Sequence, residues 1–307
     1  MKKRWIVLFS VLCLAVCMLN ACGKVSDTSD ITGETMITEA PSSDERGDEQ
    51  MNLETTSTPT PTVTPEPTAT PSPSPTELPT ATPVPEDNGL WENNADISWI
   101  DPAKPMIAFT FDDSPVGTAD TATSIRIQNA LAASGQHATF CYWGNSLNKT
   151  NEAEIKRAYD MGFEIANHTS SHKNLAELTS DEIISEVTTQ ADKLSAITGL
   201  ADFLIRPPYL SANETVQETV SAPLINCSID SKDWAGATTE EIIAAISTQK
   251  HDGAIVLMHE NYESTASAVE TLVPQLVAEG WQIVSVSELF KAKGLELKDG
   301  QVYSYAG

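Results

Sequence analysis

Residues 99–307 predict an α/β fold with a mostly parallel sheet or barrel, on three observations. Short apolar runs alternate seven times with helical patterns. Glycines 135, 162, 199, 280 and 294 stand where helix C-terminal stops belong. The third is that polar residues fall just after the apolar runs, as they do at the C-terminal strand ends of parallel barrels.

The apolar runs cover 106–111, 137–142, 163–166, 203–205, 224–229, 254–258 and 281–286. Each is short enough for a strand. Between and after them, 3.6-residue periodicity predicts helices near 120–134, 152–161, 180–198, 212–221, 239–248, 264–279 and 287–293. Thr179 with Glu182 and Thr238 with Glu241 form capping boxes that start two of these helices. At about 209 residues this segment is long enough for one domain with a substantial core.

The polar residues at the strand ends carry the chemistry. Asp112 and Asp113 follow the first run, His168 the third and Arg206 the fourth. Asp230 and Asp233 follow the fifth, and His259 the sixth. A barrel would bring all seven to one face. Asp113, His168 and His172 make an oxygen-plus-two-nitrogen set, the ligand count of a divalent-metal site that keeps one position open. Zinc suits that set best, and cobalt or nickel can substitute. Asp112 is then free to act as a base on water. Taken singly, each half has a blander reading: an Asp-Asp pair ends many strands, and His-x-x-x-His is common surface sequence. Their convergence decides.

Thr110-Phe-Asp-Asp113, His168-Thr-Ser-Ser-His172, Arg206-Pro-Pro-Tyr209, Asp230-Ser-Lys-Asp-Trp234 and Leu257-Met-His259 resemble, in order and spacing, the five motifs of the polysaccharide deacetylases. These are the family-4 carbohydrate esterases, which share the nodulation-factor deacetylase homology domain. The resemblance spans about residues 99–290. It implies a distorted (β/α) barrel of about seven parallel strands and metal-dependent removal of acetyl groups from carbohydrates. It also implies that Arg206 holds Asp112 and that Asp233 supports His259 as the acid for the leaving group. The Tyr209 backbone N–H would serve as an oxyanion donor. Trp234 and Leu257 would wall a slot for the acetyl methyl, or be plain core. Asp230 caps its loop or joins the site. Tyr142 and Trp143 stack on sugar or pack in the core. His137 and His251 are read as structural or exposed. Two positions depart from the pattern: Ser114 and Leu210 stand where glycine is usual, at the groove rim.

The substrate expected is an acetylated polysaccharide. N-acetylhexosamine units of peptidoglycan or a chitin-like polymer lead, and O-acetylated xylan is the alternative. A non-catalytic carbohydrate binder on the same barrel is a third reading. The full set of ligands, with Asp112 and His259, opposes it.

The N-terminal third reads differently. Lys2, Lys3 and Arg4 precede a nearly unbroken apolar run from Trp5 to Leu19, the pattern of an export signal. Leu19-Asn20-Ala21-Cys22 resembles a bacterial lipoprotein processing site, with Cys22 as the lipidated residue. An ordinary cleaved signal and an uncleaved anchor are the alternatives, and all three place the protein outside the cytoplasm. The expected organisation is a signal at 1–22, an acidic Pro/Thr-rich linker at 23–98 and the catalytic domain at 99–307. Residues 55–85 hold ten prolines and eleven threonines. Such sequence favours extended polyproline II and could span roughly 100 Å. A net charge of −25 supplies no basic footprint for nucleic acid. Cys141 and Cys227, in apolar runs, are read as buried free thiols. A monomer is expected.

Overall fold

The computed structural model describes residues 91–307 apart from Thr118. The signal segment, Cys22 and linker residues up to 90 lie outside the described residues.

Five strands form the continuous parallel path β3-β2-β1-β6-β5. They are β1 (Met106–Asp113), β2 (Thr139–Tyr142), β3 (Glu164–Asn167), β5 (Ile229–Asp230) and β6 (Ala254–His259). β7 (Gln282–Val284) pairs with the first half of β1 through Met106–Ala108. β2 takes the second half, Thr110–Asp113. A further parallel pair, β4 (Leu224–Ile225) with β8 (Val302–Tyr303), continues the curve. It is linked to β3 by single bridges through Ile205. The result is a parallel, distorted barrel. Helices follow the strands: α1 (Thr123–Ala133), α2 (Lys149–Asp160), α3 (Ser180–Thr198), α4 (Glu214–Thr219), α5 (Thr239–Gln249), α6 (Glu263–Ala278) and α7 (Val286–Ala292).

The two-residue period of a strand sorts β1 into two rows. Ile107, Phe109 and Phe111 pack outward with Ile127 and Leu131 of α1 and Leu272 of α6. Met106 and Ala108 point inward, where they meet Cys141, Ala166, Leu204 and Ile255. Ala108, Cys141 and Ala166 keep the part of this layer on β1, β2 and β3 small, beneath the longer polar side chains at the strand ends. Thr110 and Asp112 continue the inward row. β1 is buried on both faces, as a barrel strand with a helix layer outside must be.

Both expected capping boxes form, and Ser285 with Glu288 adds a third at α7. α3 ends at Gly199 with φ 80°, a left-handed stop that glycine adopts without steric cost. Three local expectations are corrected. The run 224–229 divides into two strands, because the Cys227 N–H is taken by the Asn226 side chain rather than a ladder. The run 203–205 contributes only the Ile205 bridge. The run 281–286 ends as strand at Val284, where the Ser285 cap starts α7.

The expected boundary at 98/99 also moves. Residues 91–98 belong with the folded domain: Trp91 and Ile97, with Trp99, pack against the inner core. The Trp91 N–H donates to the Leu297 carbonyl at 3.1 Å, and Asn93 Nδ2 donates to the Ser287 carbonyl at 2.8 Å. Isolated aromatics carry no periodicity, so the sequence pattern did not mark them as core.

Candidate active site

Asp112 stands at the inward end of β1, beside His259 of β6 in register and Cys141 of β2. Its carboxylate accepts from Arg206 Nη1 at 2.9 and 3.1 Å. The Arg206 side chain is fully buried, and its other donors are used as well. Nη2 donates to Thr110 Oγ1 at 2.8 Å and Nε to the Ile225 carbonyl at 2.9 Å. The planar guanidinium is thus fixed on several sides, and it fixes Asp112 in turn. Burial pushes the Asp112 carboxyl up, but Arg206, His168 and His259 more than offset it and hold it below its usual value of 3.8. Asp112 is an ionised acceptor in a dry place.

Asp113 ends β1 with φ 82°, a left-handed turn that takes its side chain out of the row that Asp112 occupies. His168 follows β3, and His172 closes the next turn with φ 57°. Asp113, His168 and His172 each offer a ligand atom, and these atoms lie within 4.8 Å of one another. The two imidazole Nε2 atoms are 3.1 Å apart, and Asp113 Oδ1 is 3.6 Å from His172 Nε2 and 3.9 Å from that of His168. His168 Nδ1 is 2.6 Å from the Arg206 carbonyl oxygen, which can only accept. Nδ1 therefore carries the proton, and the Nε2 lone pair faces Asp113 and His172. Burial lowers the His168 pKa, which favours the neutral ring a metal needs. The donor set fits one divalent ion.

The turn between the histidines is braced by residues that spacing did not mark. Thr169 has φ 67°, costly for a β-branched residue. Its Oγ1 accepts from the His172 N–H, and Asn167 Oδ1 accepts from the Thr169 N–H at 2.9 Å. Glu186 of α3 accepts from the Ser171 N–H at 2.7 Å and from its hydroxyl. No pattern in the sequence pairs Glu186 with this turn, because the contact runs between a helix and a loop.

Across the barrel mouth, His259 Nδ1 meets Asp233 Oδ1 at 2.9 Å. Asp233 also accepts from the His259 N–H at 2.6 Å, the Trp234 N–H at 2.8 Å and Thr265 Oγ1 at 2.7 Å. Thr265, in the first turn of α6, was another partner the sequence did not announce. Burial draws the His259 pKa down, but the Asp233 hydrogen bond and the charges of Asp112, Asp233 and Asp113 prevail and raise it. The ring is poised to carry a proton.

The remaining expected residues divide between exposed positions and the core. Tyr209 sits in a 3₁₀ turn with φ 59°, its ring 5.1 Å from that of His172, and is exposed. Trp143 flanks His172 on another side, with ring centroids 5.6 Å apart. Trp234 is exposed, with its indole N–H on Asp230 at 3.3 Å and Lys232 Nζ 5.1 Å above the ring. Asp230 also accepts from the Lys232 N–H at 2.9 Å, so it does cap its loop. Leu257 is buried two residues before His259, on the same face of β6. Tyr142 is fully buried and belongs to the core rather than to a sugar surface. Cys141 and Cys227 are both free thiols, but only Cys141 is buried as expected, and Cys227 is half-buried. His137 is structural, bonded to Glu288 at 2.6 Å, and His251 is exposed.

The polysaccharide deacetylase family model matches residues 100–224. Peptidoglycan-N-acetylmuramic acid deacetylase PdaC of Bacillus subtilis is 30% identical over 194 residues, which is 63% of this chain and 40% of that protein. Peptidoglycan-N-acetylglucosamine deacetylase PgdA of Listeria monocytogenes is 30% identical over 201 residues, 64% of this chain and 41% of that protein. The chain thus spans about two fifths of these relatives. Among solved structures, a family 4 acetyl xylan esterase from Clostridium thermocellum, in complex with a cobalt ion, superposes with a TM-score of 0.60 at 26% identity, covering 65% of this chain and 98% of that one. With the motif residues assembled at one barrel mouth, the chain belongs to the polysaccharide deacetylase family, the family-4 carbohydrate esterases.

Proposed function

We propose that this protein removes acetyl groups from N-acetylhexosamine units of a polysaccharide of the peptidoglycan or chitin-like kind. The observation that carries this is one mouth holding three functions: the Asp113, His168 and His172 ligand set, the ionised Asp112 clamped by Arg206, and His259 held on Asp233. Relatives named as peptidoglycan deacetylases support the substrate class.

Asp113, His168 and His172 would hold the metal, for which we propose zinc, with cobalt or nickel able to replace it. Such an ion would lower the pKa of water and polarise the acetyl carbonyl. Asp112 accepts the proton as water adds to the carbonyl carbon. Arg206 keeps Asp112 ionised and out of the ligand set. The Tyr209 N–H donates to the oxygen that gains charge. As the C–N bond breaks, His259 gives its Nε2 proton to the departing nitrogen while Asp233 holds Nδ1. Trp234 and Leu257 confine the acetyl methyl.

Acetate release from peptidoglycan, chitooligosaccharides and acetylxylan tests this reading. The expected result is acetate matched by an equal amount of new free amine on an N-acetylated glycan. Acetate from acetylxylan alone would assign an O-deacetylase, the activity in the name of the Clostridium neighbour. No acetate from any of them would assign a non-catalytic binder.

We also propose that Cys22 is the mature, lipidated N-terminus of a surface protein, on the strength of the basic start, the apolar run and the Leu19–Cys22 sequence. Cys22→Ser should move the protein from the membrane fraction to the soluble one with specific activity unchanged. Retention in the membrane would argue for an uncleaved anchor.

A further inference from the structure

Tyr142 is the register partner of Asp113, and both leave the inward row of their strands. In the layer behind them, between the strand ends and helices α1 and α2, lies a group of side chains that the proposed reaction does not use. Glu154 comes from α2, Ser124 from α1, and Glu260 directly follows β6. Glu154, Glu260 and Tyr142 are at most 1% exposed. The Glu260 carboxyl faces the Ser124 hydroxyl, the Tyr142 phenol and the Glu154 carboxyl, and the phenol faces both acids. The Ser124 hydroxyl and the Tyr142 phenol approach Glu260 closely enough to hold its carboxyl down in part, yet among the described residues no carboxyl oxygen of either glutamate, nor the phenol oxygen, completes a hydrogen bond of good distance and angle. Arg157, the cation that acts on Glu154, directs its guanidinium to the Gln128 and Asn129 side chains instead.

Two buried carboxyl groups with no cation bonded to either are expensive to ionise, and native interiors pair such groups. The donors here are all oxygens, which select a hard cation and distinguish this group from the nitrogen-rich set at Asp113. Calcium accepts about six to eight oxygen ligands in flexible geometry, whereas magnesium demands an octahedron and retains waters. Two acids also match a charge of two. We propose that Glu154, Glu260 and Tyr142 form a second cation site, taking a calcium-class ion, behind the catalytic mouth. Such an ion would tie together the ends of β1 and β2, helix α2 and the loop after β6, and so brace the elements that present Asp113 and His259. Without a cation, burial with the Glu154 charge holds Glu260 up at about 8, and burial holds Glu154 up at about 7. Binding would release those protons, so affinity should increase as pH rises through this range.

The test uses the full chain with the Asp113–His168–His172 site loaded with cobalt, then titrated with calcium chloride at about pH 8. One calcium per chain should survive desalting, and the melting temperature should rise by about 5 °C at saturation. The visible cobalt band should not move, which separates this site from displacement at the first. Glu154→Gln should abolish both the retained calcium and the thermal shift. If that variant fails to fold, the calcium count on the wild-type chain still decides. The proposal is overturned if the wild-type chain retains no calcium, if calcium only displaces cobalt, or if Glu154→Gln binds calcium as before. Glu154→Gln melting as high as the wild type, with neither responding to calcium, would identify a protonated carboxyl pair instead.

Discussion

Asp113→Ala is expected to cost the metal, and Asp112→Asn the reaction, although the two residues are neighbours. Asp113 supplies one of three ligand atoms within 4.8 Å, so its loss leaves two imidazoles and greatly weakens binding. Asp112 faces Arg206 instead, and asparagine there cannot take a proton from water. Turnover should fall by roughly 10²–10⁴-fold with metal content retained. The structure adds a consequence for stability. Arg206 is fully buried, so removing the Asp112 charge leaves a guanidinium without its partner, at a cost of about 3–5 kcal/mol. Elemental analysis, single-turnover kinetics and calorimetry on the two variants separate these effects. Metal lost on Asp112→Asn and kept on Asp113→Ala would exchange the roles.

The second large effect is at His259. His259→Ala should slow amide cleavage by roughly 10²–10⁴-fold and activated-ester cleavage much less, because a good leaving group needs little protonation. Its pH dependence follows from the neighbours. His259 must be protonated to act as an acid, and its raised pKa carries activity above the ordinary histidine value of 6.5 before the alkaline limb falls. Asp233→Asn withdraws both the hydrogen-bonding carboxylate and its charge, so the pKa falls and the alkaline limb moves to lower pH. Rate profiles on an N-acetylated oligosaccharide check this. An alkaline limb unmoved by Asp233→Asn would detach that limb from His259.

Most of the site was legible because its residues sit at the ends of strands that the apolar runs already marked. Asp112 and Arg206 are 94 positions apart, yet both follow strand-like runs, and a parallel barrel has one place for such residues. What stayed hidden was support that crosses between elements. Glu186 reaches the histidine turn from the middle of α3, and Thr265 reaches Asp233 from the first turn of α6. Neither contact leaves a trace in spacing. Backbone strain was equally silent, since Asp113, Thr169, His172, Tyr209, Leu210 and Lys232 hold positive φ without being glycine. Leu210 is instructive: its φ of 56° is a conformation that glycine adopts without cost, and here a leucine bears the strain. The N-terminal boundary was misplaced for another reason. Trp91 and Ile97 dock as isolated apolar residues in a polar segment, and two anchors six positions apart make no periodic pattern.

The central claim is that acetyl removal depends on an ion held by Asp113, His168 and His172. Acetate release from an N-acetylated chitooligosaccharide should be followed on chelator-stripped protein as zinc is returned stepwise. Activity should rise in proportion to bound zinc and level off at one ion per chain in that site, with His172→Ala showing neither binding nor rate. Full acetate release by stripped protein, or zinc bound at this site without any release, would contradict the account.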